Sequence, residues 1–183
     1  VFPSLWTSST IAFTLGFPIE EIFMMLFPSF DEEKRNILAG LWTGNLVKMI
    51  KAKKGRLIDG ADETVRILHS LNYKMLVASN GTRDYVEAIL ETYDLKKLFS
   101  APFLYAEGDI YNKSDIIARY LSLNPGRKLV MIGDRSTDLD AAADNGIPFI
   151  GCAFGHAGIE EIRDAEFIVH DFVPHIDRRA MAL

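Results

Sequence analysis

The stretch that decides the fold is residues 129–143, LVMIGDRSTDLDAAA. Leu129, Val130, Met131 and Ile132 form an unbroken apolar run, the pattern of a strand buried on both faces in a parallel sheet. Gly133 ends the run, and Ser136 and Thr137 are good helix starters. Leu139 and the three alanines continue as a helix. Asp134 therefore falls at the carboxyl end of a strand, where open α/β sheets bind their ligands, and Asp138 follows four residues later. Two carboxylates so placed suit a hard, oxygen-seeking cation such as Mg²⁺. The same residues also read as a turn aspartate followed by an early-helix acid favoured by the helix dipole.

Working outward, strands and helices alternate from Leu57 onward. A helix is expected from Asp62 to Leu71, a strand KMLVAS at 74–79 and a helix over 83–93. A short strand at 103–105 and a helix over 114–123 lead into the organising stretch, with further strands at 148–152 and 167–169. This order implies βα units and a parallel sheet. The first 54 residues have a different texture. A helix over 3–13 breaks near Gly16, and Pro18 opens a second with Glu20 and Glu21 near its positive end. Asp31 caps a longer helix on which Ile37, Leu38, Leu41, Trp42, Leu46, Val47 and Ile50 follow a helical period. Trp6 and Trp42 read as packing residues. Lys48, Lys51, Lys53, Lys54 and Arg56 read as a solvated helix end, or as a cation for an anionic substrate. The expected organisation is a helical module over 1–54 and an α/β module over 55–183.

Composition narrows the function classes. A net charge of −5 over 183 residues is the wrong sign for a nucleic-acid footprint. The lone Cys152 makes no internal disulfide and no cysteine-based zinc site, which fits a cytoplasmic protein. The apolar opening VFPSLWTSSTIAFTLGF has no basic flank and is too short to span a bilayer, so neither a signal peptide nor a membrane partner is expected.

Two further features fall at strand or helix ends. Ser79-Asn80-Gly81 offers a hydroxyl and exposed amides to a phosphate oxygen, and is equally an ordinary strand-to-helix turn. Lys113, at the start of a helix with Asn112 and Ser114 as capping candidates, sits where a cation is electrostatically unfavourable. It is either held there to neutralise phosphate charge or is a surface lysine.

The order of these features, a strand-end Ser79, then Lys113, then Gly133-Asp134…Asp138, resembles the haloacid dehalogenase superfamily of hydrolases, and most closely its phosphoglycolate phosphatase-like branch. The resemblance covers residues 57–170, and residues 1–54 look like the small helical cap of many members. It implies a doubly wound, Rossmann-like parallel α/β core and a Mg²⁺-dependent phosphomonoesterase acting on a small phosphorylated metabolite, as a monomer or homodimer. Asp134 and Asp138 would serve the metal, Asp138 through water. Ser79 and the following amide would hold a phosphoryl oxygen, Asn80 would support that loop, and Lys113 would stabilise phosphoryl charge.

The family's first motif, a strand ending Asp-x-Asp-Gly-Thr that supplies the nucleophile, does not occur here. Asp59-Gly60-Ala61-Asp62 has the wrong order, and Asp171-Phe172 comes too late. A segment preceding Val1 is the simplest expectation; a non-catalytic protein that has lost the nucleophile is the alternative. A phospho-receiver domain fits less well, because it does not begin with a helical module. Since that motif's strand lies between the strands of Ser79 and Asp134 in the family, the resemblance also implies a slot between residues 76–78 and 130–132, unless those strands pair directly or another chain donates a strand.

Overall fold

The computed structural model describes residues 16–155 and 158–172, so the helix expected over 3–13, with Trp6, lies outside the described residues. Helix α1 spans Ile19–Leu26 and starts after Pro18, with Glu20 and Glu21 in its first turn. Helix α2, Glu32–Lys51, is capped by the Asp31 side chain, which accepts from the Lys34 amide at 2.9 Å. Lys48 and Lys51 occupy its last turn, where the dipole favours them. The helical period of α2 was legible, but its burial is not that of a core helix: none of its residues is buried, and Ile37 and Leu41 are 57% and 61% exposed. Trp42 packs edge-on against Phe23 of α1, ring centroids 6.3 Å apart.

The α/β part follows with α3 (Ala61–Ser70), α4 (Arg83–Thr92), α5 (Lys113–Leu123), β1 (Met131–Gly133), α6 (Ser136–Asp144), β2 (Phe149–Cys152) and β3 (Phe167–Val169). The three strands are parallel in the order β1-β2-β3, with Met131 opposite Phe149 and Ile150 opposite Phe167. Met131 and Phe149 point to one face, where Ile117, Ala141, Ala142 and Ile162 close a core over them. The small alanines let α6 lie close to the sheet. Val130, just before β1, and Ile132 within it alternate to the other face and are each 49% exposed. The expectation that both faces of this strand are covered is corrected.

A second core gathers Val86, Leu90, Leu95, Leu98 and Tyr105, with Met75, Val77 and Phe103 packed against it. Here the strand expectations for 74–79 and 103–105 are corrected. Both stretches lie outside every strand assigned among the described residues. A strand is a pairing and not a property of one segment, and neither has a ladder neighbour among the described residues. Residues 76–78 and 130–132 are not ladder partners, so the chain does not close up by pairing them.

The two stretches are fastened by other means. The Ser100 amide donates to the Met75 carbonyl at 2.8 Å. The hydroxyl of Tyr120, 1% exposed on α5, accepts from the Leu104 amide at 3.2 Å and lies 3.1 Å from the Val77 carbonyl and 3.2 Å from that of Pro102. Arg83 lies over the Tyr105 ring at 4.2 Å and pairs with Glu107, and the Tyr105 hydroxyl and Lys96 both reach Glu87.

Candidate functional site

Lys113 is the first residue of α5, and Asn112 caps that helix by accepting from the Asp115 amide at 3.1 Å. Because the cap is supplied by a neighbour, the lysine side chain is left to turn inward, where it is buried. Its ammonium contacts the Asp138 carboxylate directly, and lies 3.5 Å from the Thr137 hydroxyl. The other oxygen of Asp138 accepts from the amides of Asp134 and Arg135 at 3.1 and 3.0 Å. Both Asp138 oxygens thus accept, one from Lys113 and the other from two amides, which leaves acceptor room on the first for a water. The residue ties the loop after β1 to the start of α6, and anchors Lys113 beside that loop.

Asp134 carries the second carboxylate at the end of β1. Two glycines make room for the pair. A Cβ on Gly133 would stand 2.3 Å from the Asp138 carboxyl carbon, and one on Gly155 would stand 2.1 Å from Asp134 Oδ2 and 2.2 Å from its Cβ. The carboxylates also act on Cys152: burial first, then the negative charges of Asp134 and Asp138, push its thiol up to about 12.

Ser79 ends the extended stretch 74–79. Its hydroxyl accepts from the Gly81 amide at 3.0 Å. A hydroxyl that accepts there keeps its own proton to donate elsewhere. Gly81 fits because a Cβ would come 2.8 Å from the Tyr85 ring. Asn80 is buried, and its Nδ2 donates to the Gly16 carbonyl at 2.7 Å. Its Oδ1 has no hydrogen-bond partner among the described residues. The Thr137 hydroxyl reaches the same Gly16 carbonyl at 3.4 Å.

The structure therefore joins Asn80, Thr137, Lys113 and Asp138 in one chain of contacts through Gly16. Asp134 enters it by its amide, and Ser79 by adjacency to Asn80. Sequence reasoning missed Gly16 and Thr137, whose partners lie far away in the chain. It also missed Arg135 and Glu161: the Glu161 carboxylate lies 3.2 Å from the Arg135 guanidinium and accepts from the Ser136 amide at 3.2 Å, at the positive end of α6. The Ser136 signal, a helix start in need of an acceptor, was available; the identity of the acceptor was not.

The model of the haloacid dehalogenase-like hydrolases matches residues 2–152, and the chain belongs to that family. Within it, the chain is similar to phosphoglycolate phosphatase of Salmonella paratyphi A, 26% identical over 100 residues that make up 51% of this chain and 38% of that protein. It is also 28% identical, over 119 residues, to the tyrosine-protein kinase PtkA of Mycobacterium tuberculosis, covering 62% of this chain and 41% of that one. The structure of a predicted phosphatase from Clostridium acetobutylicum superposes with a TM-score of 0.73 at 28% identity, over 89% of this chain and 77% of the other. The Rossmann-like α/β core expected from the motif order is thereby shown. The chain spans about two fifths of the length of the curated relatives it matches. Among the described residues, no helix is long and apolar enough to cross a membrane.

Proposed function

We propose that this chain forms the anion- and metal-binding part of a cytoplasmic phosphomonoesterase acting on a small phosphorylated metabolite, as a monomer or homodimer. The observation that carries the reading is the buried Lys113–Asp138 pair at the strand ends. Removing a lysine from water is costly unless its donors are used. Asp138 takes one of the three ammonium hydrogens, Thr137 lies within reach of a second, and a third is left for an anion. The Ser79 hydroxyl, which accepts from the Gly81 amide, keeps its own proton to donate to another oxygen of the same anion. The phosphatase relatives support the same reading.

Among the described residues, no three Asp, Glu, His or Cys side chains stand close enough to form a cage. Mg²⁺ does not require one, since it is commonly bound by one or two carboxylates with water and substrate phosphate completing the shell. Asp134, at the strand end in the space left by Gly155, fits that role directly, and Asp138 fits it through water. When bound, Mg²⁺ would offset the repulsion between a carboxylate nucleophile and the phosphate. The chain's own residues bind and orient: Ser79 and the Asn80 amide hold a phosphoryl oxygen, and Lys113 stabilises the charge.

Hydrolysis by this route needs a carboxylate to attack phosphorus, expel the alcohol and form an aspartyl-phosphate that water then cleaves. The carboxylate in contact with Lys113 is Asp138, whose oxygens are taken by that ammonium and by the amides of Asp134 and Arg135; on this reading the attacking carboxylate comes from an Asp-x-Asp-bearing segment and not from Asp138.

The test is twofold. The chain should bind inorganic phosphate, with affinity lost at least tenfold in Lys113→Met. It should turn over p-nitrophenyl phosphate with Mg²⁺ only when an Asp-x-Asp-bearing segment is supplied. Phosphate binding indifferent to Lys113→Met overturns the anion site. Turnover by the pure chain that disappears in Asp134→Ala overturns the assignment of the nucleophile.

A further inference from the structure

The Gly16 carbonyl occupies an unusual place. It lies three residues before α1 begins, yet its oxygen is held by donors from both sides of the site: Asn80 Nδ2 at 2.7 Å and the Thr137 hydroxyl at 3.4 Å. Thr137 in turn lies 3.5 Å from the Lys113 ammonium. The proton order is consistent along this path, with the ammonium donating to the hydroxyl and the hydroxyl donating to the carbonyl. Gly16 adopts φ +97°, and a Cβ there would stand 3.3 Å from Arg135 Cγ and Nε. Glycine is what lets the backbone approach this closely.

We propose that the Gly16 carbonyl is a built-in stand-in for an oxyanion oxygen, so that anion binding at the strand ends and docking of helix α1 compete. The proposal rests on the anion site described above and concerns its regulation. Asn80 is 8% exposed, and its amide is turned so that the donor is used while Oδ1 is left without a partner among the described residues. That is a half-satisfied arrangement, easier to exchange than a fully bonded one. A charged oxygen accepts a hydrogen bond about twice as strongly as a neutral carbonyl, so an anion reaching Asn80 Nδ2 and the Thr137 hydroxyl outcompetes Gly16. The turn before α1 then loses two of its fastenings to the core. Helix α1 buries only Phe23 among its own residues, and that ring packs on Trp42 of α2, so the Gly16 turn is where the helix meets Asn80 and Thr137.

The experiment uses the full 183-residue chain, inorganic phosphate and amide hydrogen exchange read over residues 17–26. Phosphate at saturation is expected to speed exchange there several-fold. Gly16→Ala, which breaks the latch from the module's side and leaves the core residues intact, is expected to bind phosphate several-fold tighter. Its exchange over 17–26 should already be fast and no longer respond to phosphate. Should Gly16→Ala not fold, Thr137→Val removes one donor at nearly constant shape, and must speed exchange over 17–26 without phosphate.

Equal phosphate affinity in wild type and Gly16→Ala overturns the competition and leaves the anion site standing. Slower exchange over 17–26 on adding phosphate overturns it in favour of a module that closes on the anion. If phosphate binds neither protein, the proposal falls together with the site it rests on.

Discussion

The half of the α/β core built on β1, β2 and β3 and the half built on residues 74–79 and 103–105 solve the same problem differently. In the first, backbone groups satisfy backbone groups in a parallel ladder, and side chains are left to make a core around Met131, Phe149 and Ile162. In the second, extended chain runs without a ladder among the described residues, and side chains do most of the fastening: Tyr120 to residues 77, 102 and 104, and Glu87 to Tyr105 and Lys96. An apolar run specifies that a segment is buried. Whether it becomes a strand depends on a neighbour elsewhere in the chain.

The comparison is most sharply broken at the seam between the halves. Asp138→Ala should destabilise the protein by about 3–5 kcal/mol, because it leaves the Lys113 ammonium buried without its counter-charge. Double replacement with Lys113→Met should recover much of the loss in urea unfolding; no recovery would show that Asp138 works mainly through the two amides it accepts from.

Tyr120→Phe comes next. It keeps the ring and removes the hydroxyl on which three backbone groups depend, for an expected cost of about 1–3 kcal/mol. Hydrogen exchange should accelerate around Leu104 while β1 and β2 stay protected. Uniform acceleration would mean that the two halves are one cooperative unit.

Glu87 gives a smaller, pH-dependent contrast. Hydrogen bonds from Lys96 and then Tyr105 hold its carboxyl below the ordinary value of 4.5. A depressed carboxylate stabilises the fold fully above its unfolded value, and loses that contribution as pH falls through the folded one. Lys96 is 42% exposed at its side chain, so screening limits the effect to about 1 kcal/mol at neutral pH. Glu87→Gln should therefore weaken the protein near pH 7 and flatten its acid unfolding curve; parallel curves for both proteins would remove the carboxylate from the account.

The smallest effect is local to Cys152. With the thiol pushed up to about 12, iodoacetamide at pH 8 should leave the folded protein nearly unmodified and alkylate the unfolded chain. Asp134→Asn removes one of the two charges that raise it, and should bring the thiol's titration downward. An unchanged titration would leave burial as the whole cause.

Much of this was legible in the residues. The run at 129–132 closed by Gly133, the Asp31 cap and the Ser79, Lys113, Asp134, Asp138 order are local signals or a short series of them; they placed the fold and named the side chains whose contacts the structure then describes. The same apolar texture at 74–79 misled, because pairing is non-local. The exposure of Ile37 and Leu41 was hidden for a related reason: a period reports which face is apolar, not what covers it. Tyr120, Thr137, Glu161 and Gly16 were illegible because each acts on groups distant in the chain.

Gly133 and Gly155 carry a consequence for how this protein can vary. Neither is a turn glycine with positive φ, so backbone freedom does not explain them; both are kept small by the carboxylates beside them, and the atoms met at 155 include the Asp134 Cβ, which cannot swing aside as a carboxylate tip can. A saturation library selected for folded protein should therefore return glycine at 133 and 155 while admitting alanine readily at Gly40 and Gly44, where a Cβ meets nothing within 4 Å. Two positions with no side chain would then mark the place of the two acidic ones: an inheritance pattern written in empty volume, readable from variants alone.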